Sequence, residues 1–196
     1  MEEIPTREKI IREAEHLLRE GGVKGLSLRK IATAVGIQAP SIYEHFASKE
    51  VLLEHLRQRA INHLIRRFQA AKQQQESPKE RLIAVGMAYV QYAREERETF
   101  VLFFLNFASN RKNLAQVEPQ RSPYTILRHL VETYARPFIE SGSPEVLDEI
   151  TYGYWSLIHG AAMLQSTFLS DFEADFPSAD RSNFERYLTG SVQFSV

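Results

Sequence analysis

Apolar residues recur along this chain at helical spacing and no segment shows strand-like alternation, so the pattern predicts an all-α protein of about nine helices. Ile10, Ile11, Ala14, Leu17 and Leu18 mark one face of a first helix, with Thr6 as its candidate N-cap and Gly21-Gly22 as its stop. Ser27 is placed to cap a short second helix through Leu28, Ile31, Ala32 and Val35, closed by Gly36. A third runs from about Ala39 to Phe46, with Pro40 in the first turn, where its missing N–H costs no hydrogen bond. Ser48 is the candidate N-cap of a long helix over Val51, Leu52, His55, Leu56, Ile61, Leu64, Ile65 and Phe68, which fades into a polar run from Lys72 to Glu76. Ser77-Pro78 breaks and restarts the chain, opening a helix over Leu82, Ile83, Val85, Met87, Tyr89 and Val90. A strongly aromatic segment spans Thr99 to Phe107. Residues 108–123, aperiodic and with two prolines, predict a surface loop. Further helices are expected over about 124–140, 145–169 and 178–190, separated by Ser141–Pro144 and Asp171–Pro177.

The second and third helices are short and joined at Gly36, the geometry of a helix-turn-helix, in which the second helix enters the DNA major groove and the first crosses the backbone. Gly36 supplies the positive φ such a tight turn needs. Ala32, Val35, Ile37 and Ile42 can fix the two helices against each other, with Phe46 as core. Small or polar residues, Gln38, Ala39 and Ser41, occupy the end that would face the groove.

Three runs in this region carry a family resemblance: Leu26-Ser27-Leu28-Arg29-Lys30-Ile31-Ala32 with Val35-Gly36-Ile37, then Ser41-Ile42-Tyr43-Glu44-His45-Phe46, then Lys49-Glu50-Val51-Leu52. Together they resemble the TetR family of bacterial transcriptional regulators. Tyr154-Trp155-Ser156-Leu157-Ile158-His159-Gly160 further resembles the Trp-x-x-x-His-Gly signature of one subgroup of that family. The resemblance implies phosphate contacts from Tyr43, His45 and Lys49, base-edge positions at Gln38, Ala39 and Ser41, and a guanine contact from Arg29. Ser27 and Pro40 complete the DNA-facing set. Phosphate contacts give salt-dependent affinity, whereas base contacts read sequence. Glu44 departs from the neutral or basic residues favoured beside DNA and is expected to face solvent.

Residues 1–48 are therefore expected to form the helix-turn-helix DNA-binding domain and 49–196 a ligand-sensing and dimerisation helical domain. Reading two half-sites of a palindromic operator requires a homodimer. The segment 150–168 is apolar nearly all round and carries small residues at Gly160 and Ala161, so it is expected to dimerise, together with Met163, Leu164, Phe184, Tyr187 and Leu188. Aromatic residues concentrate in the same domain. Tyr92, Phe104, Phe107, Tyr152, Trp155 and His159 are the expected lining of a pocket for a small hydrophobic or aromatic effector. By the resemblance, binding there would alter the spacing of two DNA-binding heads and release a repressor from its operator.

Charge adds little: the net value is −1, with residues 1–67 at +3 and the remainder at −4, a mildly basic head on an acidic body. The absence of cysteine removes disulfides and thiol chemistry. The polar start MEEIPTREK is no signal peptide, and no window approaches the roughly 18 apolar residues of a membrane helix. A cytoplasmic location is expected. Enzyme chemistry finds no support. The six histidines lack zinc spacing, only Glu13-x-x-His16 fits half of a carboxylate di-metal motif, and neither a phosphate-binding glycine loop nor a nucleophile motif occurs. No metal or cofactor is expected. The rival reading is a helical protein-interaction adaptor that binds no DNA.

Overall fold

The computed structural model describes residues 4–105, 122–139 and 144–193. Among them it contains α1 (Thr6–Gly25), α2 (Leu28–Val35), α3 (Ala39–His45), α4 (Lys49–Gln73), α5 (Pro78–Glu95), α6 (Arg97–Leu105), α7 (Pro123–Ala135), α8 (Pro144–Ser166) and α9 (Phe176–Gln193), and no strand. Two compact units emerge. Of the described residues, 4–60 and 98–105 make the first, and 61–97, 122–139 and 144–193 the second.

The first unit is built on one apolar cluster. Ile10, Ile11, Ala14 and Leu18 from α1 meet Leu28, Ile31 and Ala32 from α2, Ile42 from α3, and Phe46 just beyond it. Leu52, Leu53 and Leu56 of α4, together with Leu102, complete that cluster. The head thus extends past the boundary at residue 48 expected from sequence, because its core is unfinished without the first turns of α4.

Local chemistry explains most helix ends. Thr6 lies inside α1, and Pro5 occupies the cap position, its carbonyl accepting the Glu8 N–H at 2.9 Å. Gly22 (φ 57°, ψ −164°) kinks α1 instead of ending it, and helical hydrogen bonding resumes to Gly25. Ser27 precedes α2 in an extended conformation and makes no side-chain cap. Its carbonyl accepts the Ile31 N–H at 3.0 Å. Gly36 closes α2 in the left-handed region (φ 77°, ψ 31°), and the next residue's N–H, on Ile37, reaches back to Ala32 O at 3.0 Å. Ser48 and Ser77 do cap α4 and α5, their hydroxyls accepting the N–H groups of Val51 at 3.3 Å and Glu80 at 3.1 Å.

In the second unit α5 and α8 pack closely at Gly86, where a Cβ would stand 2.7 Å from the Tyr154 hydroxyl and 3.1 Å from both Ile158 and Phe184. Tyrosine hydroxyls stitch the helices together. Tyr154 donates to Leu82 O at 3.0 Å, Tyr187 to Ile150 O at 3.1 Å and Tyr134 to Leu188 O at 3.1 Å. α7 stops at Ala135, short of the expected 140, since Pro137 can neither donate nor let its predecessor continue a regular helix. α9 begins at Phe176, earlier than expected, because the Asp175 carboxylate accepts the Ser178 N–H at 3.1 Å and caps the helix. Of the expected loop over 108–123, residues 108–121 lie outside the described residues and Pro123 opens α7; of the Ser141–Pro144 connection, 141–143 lie outside them and Pro144 opens α8.

Candidate nucleic-acid interface and sensor cluster

α3 has seven residues, and burial divides them cleanly. Ile42 is fully buried and Phe46, one residue past the helix, is sealed into the head core, whereas Tyr43 is 53% exposed. Because i and i+1 point about 100° apart on a helix, burying Ile42 turns Tyr43 outward. Gln38, Ala39 and Pro40 at the start of α3 are exposed, as is Arg29 on α2. Ser27, Ser41, His45 and Lys49 are half-buried at the margin of that surface. Lys30 and Glu44 are also exposed, so the carboxylate does face solvent. The α2–α3 pair therefore presents a small, mostly uncharged tip flanked by cationic and hydrogen-bonding groups, held on a buried apolar clamp. A short helix with such a tip fits the major groove, and the flanking groups suit phosphates.

Two arrangements stiffen this surface from behind. Lys49 Nζ donates to Val23 O at 2.8 Å, fastening the start of α4 to the last turn of α1. Arg59 of α4 pairs with Glu8 at 2.9 Å and Glu15 at 2.9 Å, and Arg12 pairs with the same Glu8 at 3.2 Å. Hydrogen bonding from Arg59 holds the Glu8 carboxyl below its usual range. Arg7 lies over the Phe46 ring, 4.8 Å from its centre, and approaches His55 Nδ1 at 3.4 Å. His55 also packs on Phe46, with ring centres 5.7 Å apart. Burial, then the Arg7 and Arg59 charges, lowers the His55 pKa. The sequence pattern placed His55 only on an apolar helix face; its contact with Arg7, 48 positions away, carries no local signal.

In the second unit the expected sensor residues separate. Trp155 and His159, one helical turn apart on α8, stack nearly parallel with ring centres 6.2 Å apart. Tyr89 of α5 joins them, 5.1 Å from the Trp155 ring, and its hydroxyl shares a 3.0 Å hydrogen bond with His159 Nδ1. Burial lowers the His159 pKa and raises that of Tyr89, so the neutral pair is favoured, and the imidazole tautomer sets which of the two donates. Tyr124 of α7 meets Trp155 edge-on, with ring centres 6.0 Å apart. Tyr89 and Tyr124 were not among the expected lining residues; their part in this cluster depends on how α5 and α7 pack on α8. Tyr92, three residues beyond Tyr89 on α5, is buried against His63 with ring centres 5.6 Å apart. Tyr152 is 69% exposed and lines no enclosed space, because it sits on the uncovered face of α8. Phe107, and the side chain of Phe104, lie outside the described residues.

The expected dimerisation residues also divide. Phe184 and Leu188 are 0% exposed inside the subunit, so they offer no area to a second chain and act as core. Tyr187 is half-buried and committed to Ile150 O. Gly160, Ala161 and Met163 are half-buried, and Leu164 is exposed. No helix among the described residues is long and apolar enough to cross a membrane.

Two family models match the chain: residues 10–56 match "Bacterial regulatory proteins, tetR family", and residues 82–188 match "Tetracyclin repressor-like, C-terminal domain". The class D tetracycline repressor of Escherichia coli is 29% identical over 190 residues, covering 95% of this chain and 78% of that repressor. The transcriptional repressor KstR2 of Mycolicibacterium smegmatis is 30% identical over 112 residues, 57% of this chain, and the match spans 54% of that protein's length. Among solved structures, a Rhodococcus sp. RHA1 protein described as of unknown function superposes with a TM-score of 0.80 at 25% identity, covering 96% of both chains.

Proposed function

The chain belongs to the bacterial tetR family of DNA-binding transcriptional regulators, which are not enzymes, and from that premise we propose that it is a homodimeric cytoplasmic repressor, released from a palindromic operator by a small hydrophobic or aromatic effector. The observation that carries the reading is the division of α3, with Ile42 and Phe46 buried and Tyr43, Gln38, Ala39 and Pro40 turned outward beside Arg29. In this reading Gln38, Ala39, Ser41 and Arg29 face base edges, while Tyr43, His45, Lys49 and Ser27 position the head on phosphates. Family membership sets aside the DNA-free adaptor.

Dimerisation is supported by the uncovered stripe of α8. Tyr152, Ser156, Gly160 and Leu164 follow at intervals of four, continued beyond the helix by Phe168, which is 77% exposed. Such a stripe of exposed large apolar groups around a small Gly160 suits close approach of a second α8. The effector reading is supported by the Tyr89–Trp155–His159–Tyr124 cluster, whose flat rings and single neutral imidazole favour an aromatic ligand. The decisive experiment selects bound duplexes from a random DNA pool with the purified protein, then repeats the selection with candidate aromatic ligands. A palindromic enriched site that is lost with a ligand is the expected result; no enriched site would overturn the reading.

A further inference from the structure

A cavity of about 650 Å3 opens in the second unit between the C-terminal half of α5, the end of α8 and the start of α9. It is separate from the aromatic cluster: neither Trp155 nor His159 borders it. Its wall contains three polar side chains more than nine-tenths buried, Ser166 at 1% exposure, Gln165 at 6% and Asp180 at 7%. Gln165 Nε2 donates to Asp180 Oδ2 at 2.8 Å, but Gln165 Oε1 is buried without a hydrogen-bond partner. A buried acceptor left unmet costs free energy that an incoming donor would recover. The neighbouring Ser166 hydroxyl cannot serve, since it is spent on Ala93 O at 3.0 Å and Ala162 O at 2.6 Å.

We propose that this cavity is a binding site for a small organic cation with a planar, two-donor head, an amidine or guanidine on an apolar body. One N–H meets the Asp180 oxygen not used by Gln165. The other meets Gln165 Oε1, the acceptor left without a partner, while Gln165 Nε2 stays on Asp180 Oδ2. Paired charge-assisted donors fit a carboxylate better than a single point charge does. Met87, Val90 and Pro177 supply apolar wall for the body of the ligand. Arg94 and Arg97 also border the cavity from exposed positions; burial raises the Asp180 pKa, while the Gln165 hydrogen bond and the Arg94 charge act against that rise and favour the carboxylate a cation would meet. Glu95, a third charged neighbour, is already occupied by Arg67 at 2.5 Å.

The test needs no DNA and no knowledge of the natural ligand, so it fails or succeeds independently of the repressor reading. Met87 borders the cavity and Met163 does not, so methyl-labelled methionine reports occupancy in the wild-type protein by NMR. Benzamidine is the probe, and benzoate, of the same shape with reversed polarity, the control. Benzamidine should shift the Met87 methyl saturably and leave Met163 in place, while benzoate does neither. Asp180→Asn should weaken the benzamidine titration about tenfold or more, and Gln165→Met should weaken it less. Absence of a saturable Met87 shift, an equal response to benzoate, or wild-type affinity in a folded Asp180→Asn variant would each overturn the proposal. Should that variant fail to fold, the wild-type benzamidine and benzoate titrations decide alone.

Discussion

Lys49 Nζ and the Val23 carbonyl meet at 2.8 Å, so the residue expected to touch a DNA phosphate also fastens the last turn of α1 to the first turn of α4. One of three ammonium protons is used in this bond, and the others remain for a phosphate oxygen. The dual role has separable consequences. Lys49→Ala should cost the protein about 1–2 kcal/mol in a denaturant melt, through the lost charged hydrogen bond. It should also weaken binding to every duplex and flatten the logarithmic salt dependence by about one unit. A melt that shifts with an unchanged salt slope would assign Lys49 to structure alone.

Tyr43 and Phe46 lie three residues apart and are opposite in exposure, at 53% and 1%. Tyr43→Ala should leave stability within about 0.5 kcal/mol, as exposed substitutions do, yet lower DNA affinity in a gel-shift titration. Phe46→Ala should cost about 3–5 kcal/mol by opening a core cavity, and it also removes the ring beneath Arg7. Equal melting temperatures for the two variants would contradict this division.

His55 predicts how the head responds to acid. Its folded pKa lies below the ordinary imidazole value of about 6.5, chiefly through burial. As pH falls through about 6.5 the unfolded chain takes up this proton first, so the folded state loses stability from there down to the lower folded pKa. Melting temperature should therefore drop across that interval more steeply in the wild type than in His55→Gln. Parallel profiles for the two proteins would count against the burial argument.

The uncovered stripe on α8 bears on assembly. Leu164 is 49% and Phe168 77% exposed, so replacing both by glutamate should cost the isolated chain little. In a dimer that buries them, two charges would lose their water, and sedimentation should show monomers at concentrations where the wild type is paired. Unaltered dimers in the double variant would move the interface elsewhere.

Gly86 tests the α5–α8 packing. An added Cβ would stand 2.7 Å from the Tyr154 hydroxyl, which is itself held by Leu82 O at 3.0 Å and cannot swing away freely. Gly86→Ala should destabilise by about 1–3 kcal/mol as an overpacked core, against the roughly 1 kcal/mol gain that alanine brings to an unhindered helix. A more stable variant would show that the helices can part at no cost.

Much of the architecture was legible in local chemistry. Gly36 needed a left-handed residue to turn α2 into α3, and Ser48 and Ser77 signalled helix starts through hydroxyls that do accept the expected N–H groups. The same local reasoning erred where a competing local group was stronger. Pro5 displaced Thr6 as the cap of α1, Asp175 started α9 early, and Gly22 bent α1 without ending it. The exposed side of α3 followed from periodicity, since burying Ile42 forces Tyr43 outward.

Spacing within a few turns of one chain segment specifies the series of helices, the helix-turn-helix and the side of α3 left open. Tertiary structure alone decided which side of α8 is covered. A helix apolar nearly all round specifies burial without direction, and α9 took Phe184 and Leu188 into the core while Leu164 was left outside. It also decided that Tyr89 joins Trp155 and His159, and that Gln165 and Asp180 share one cavity wall. Those pairs lie far apart or on different helices, and only the packing of α5, α8 and α9 brings them together.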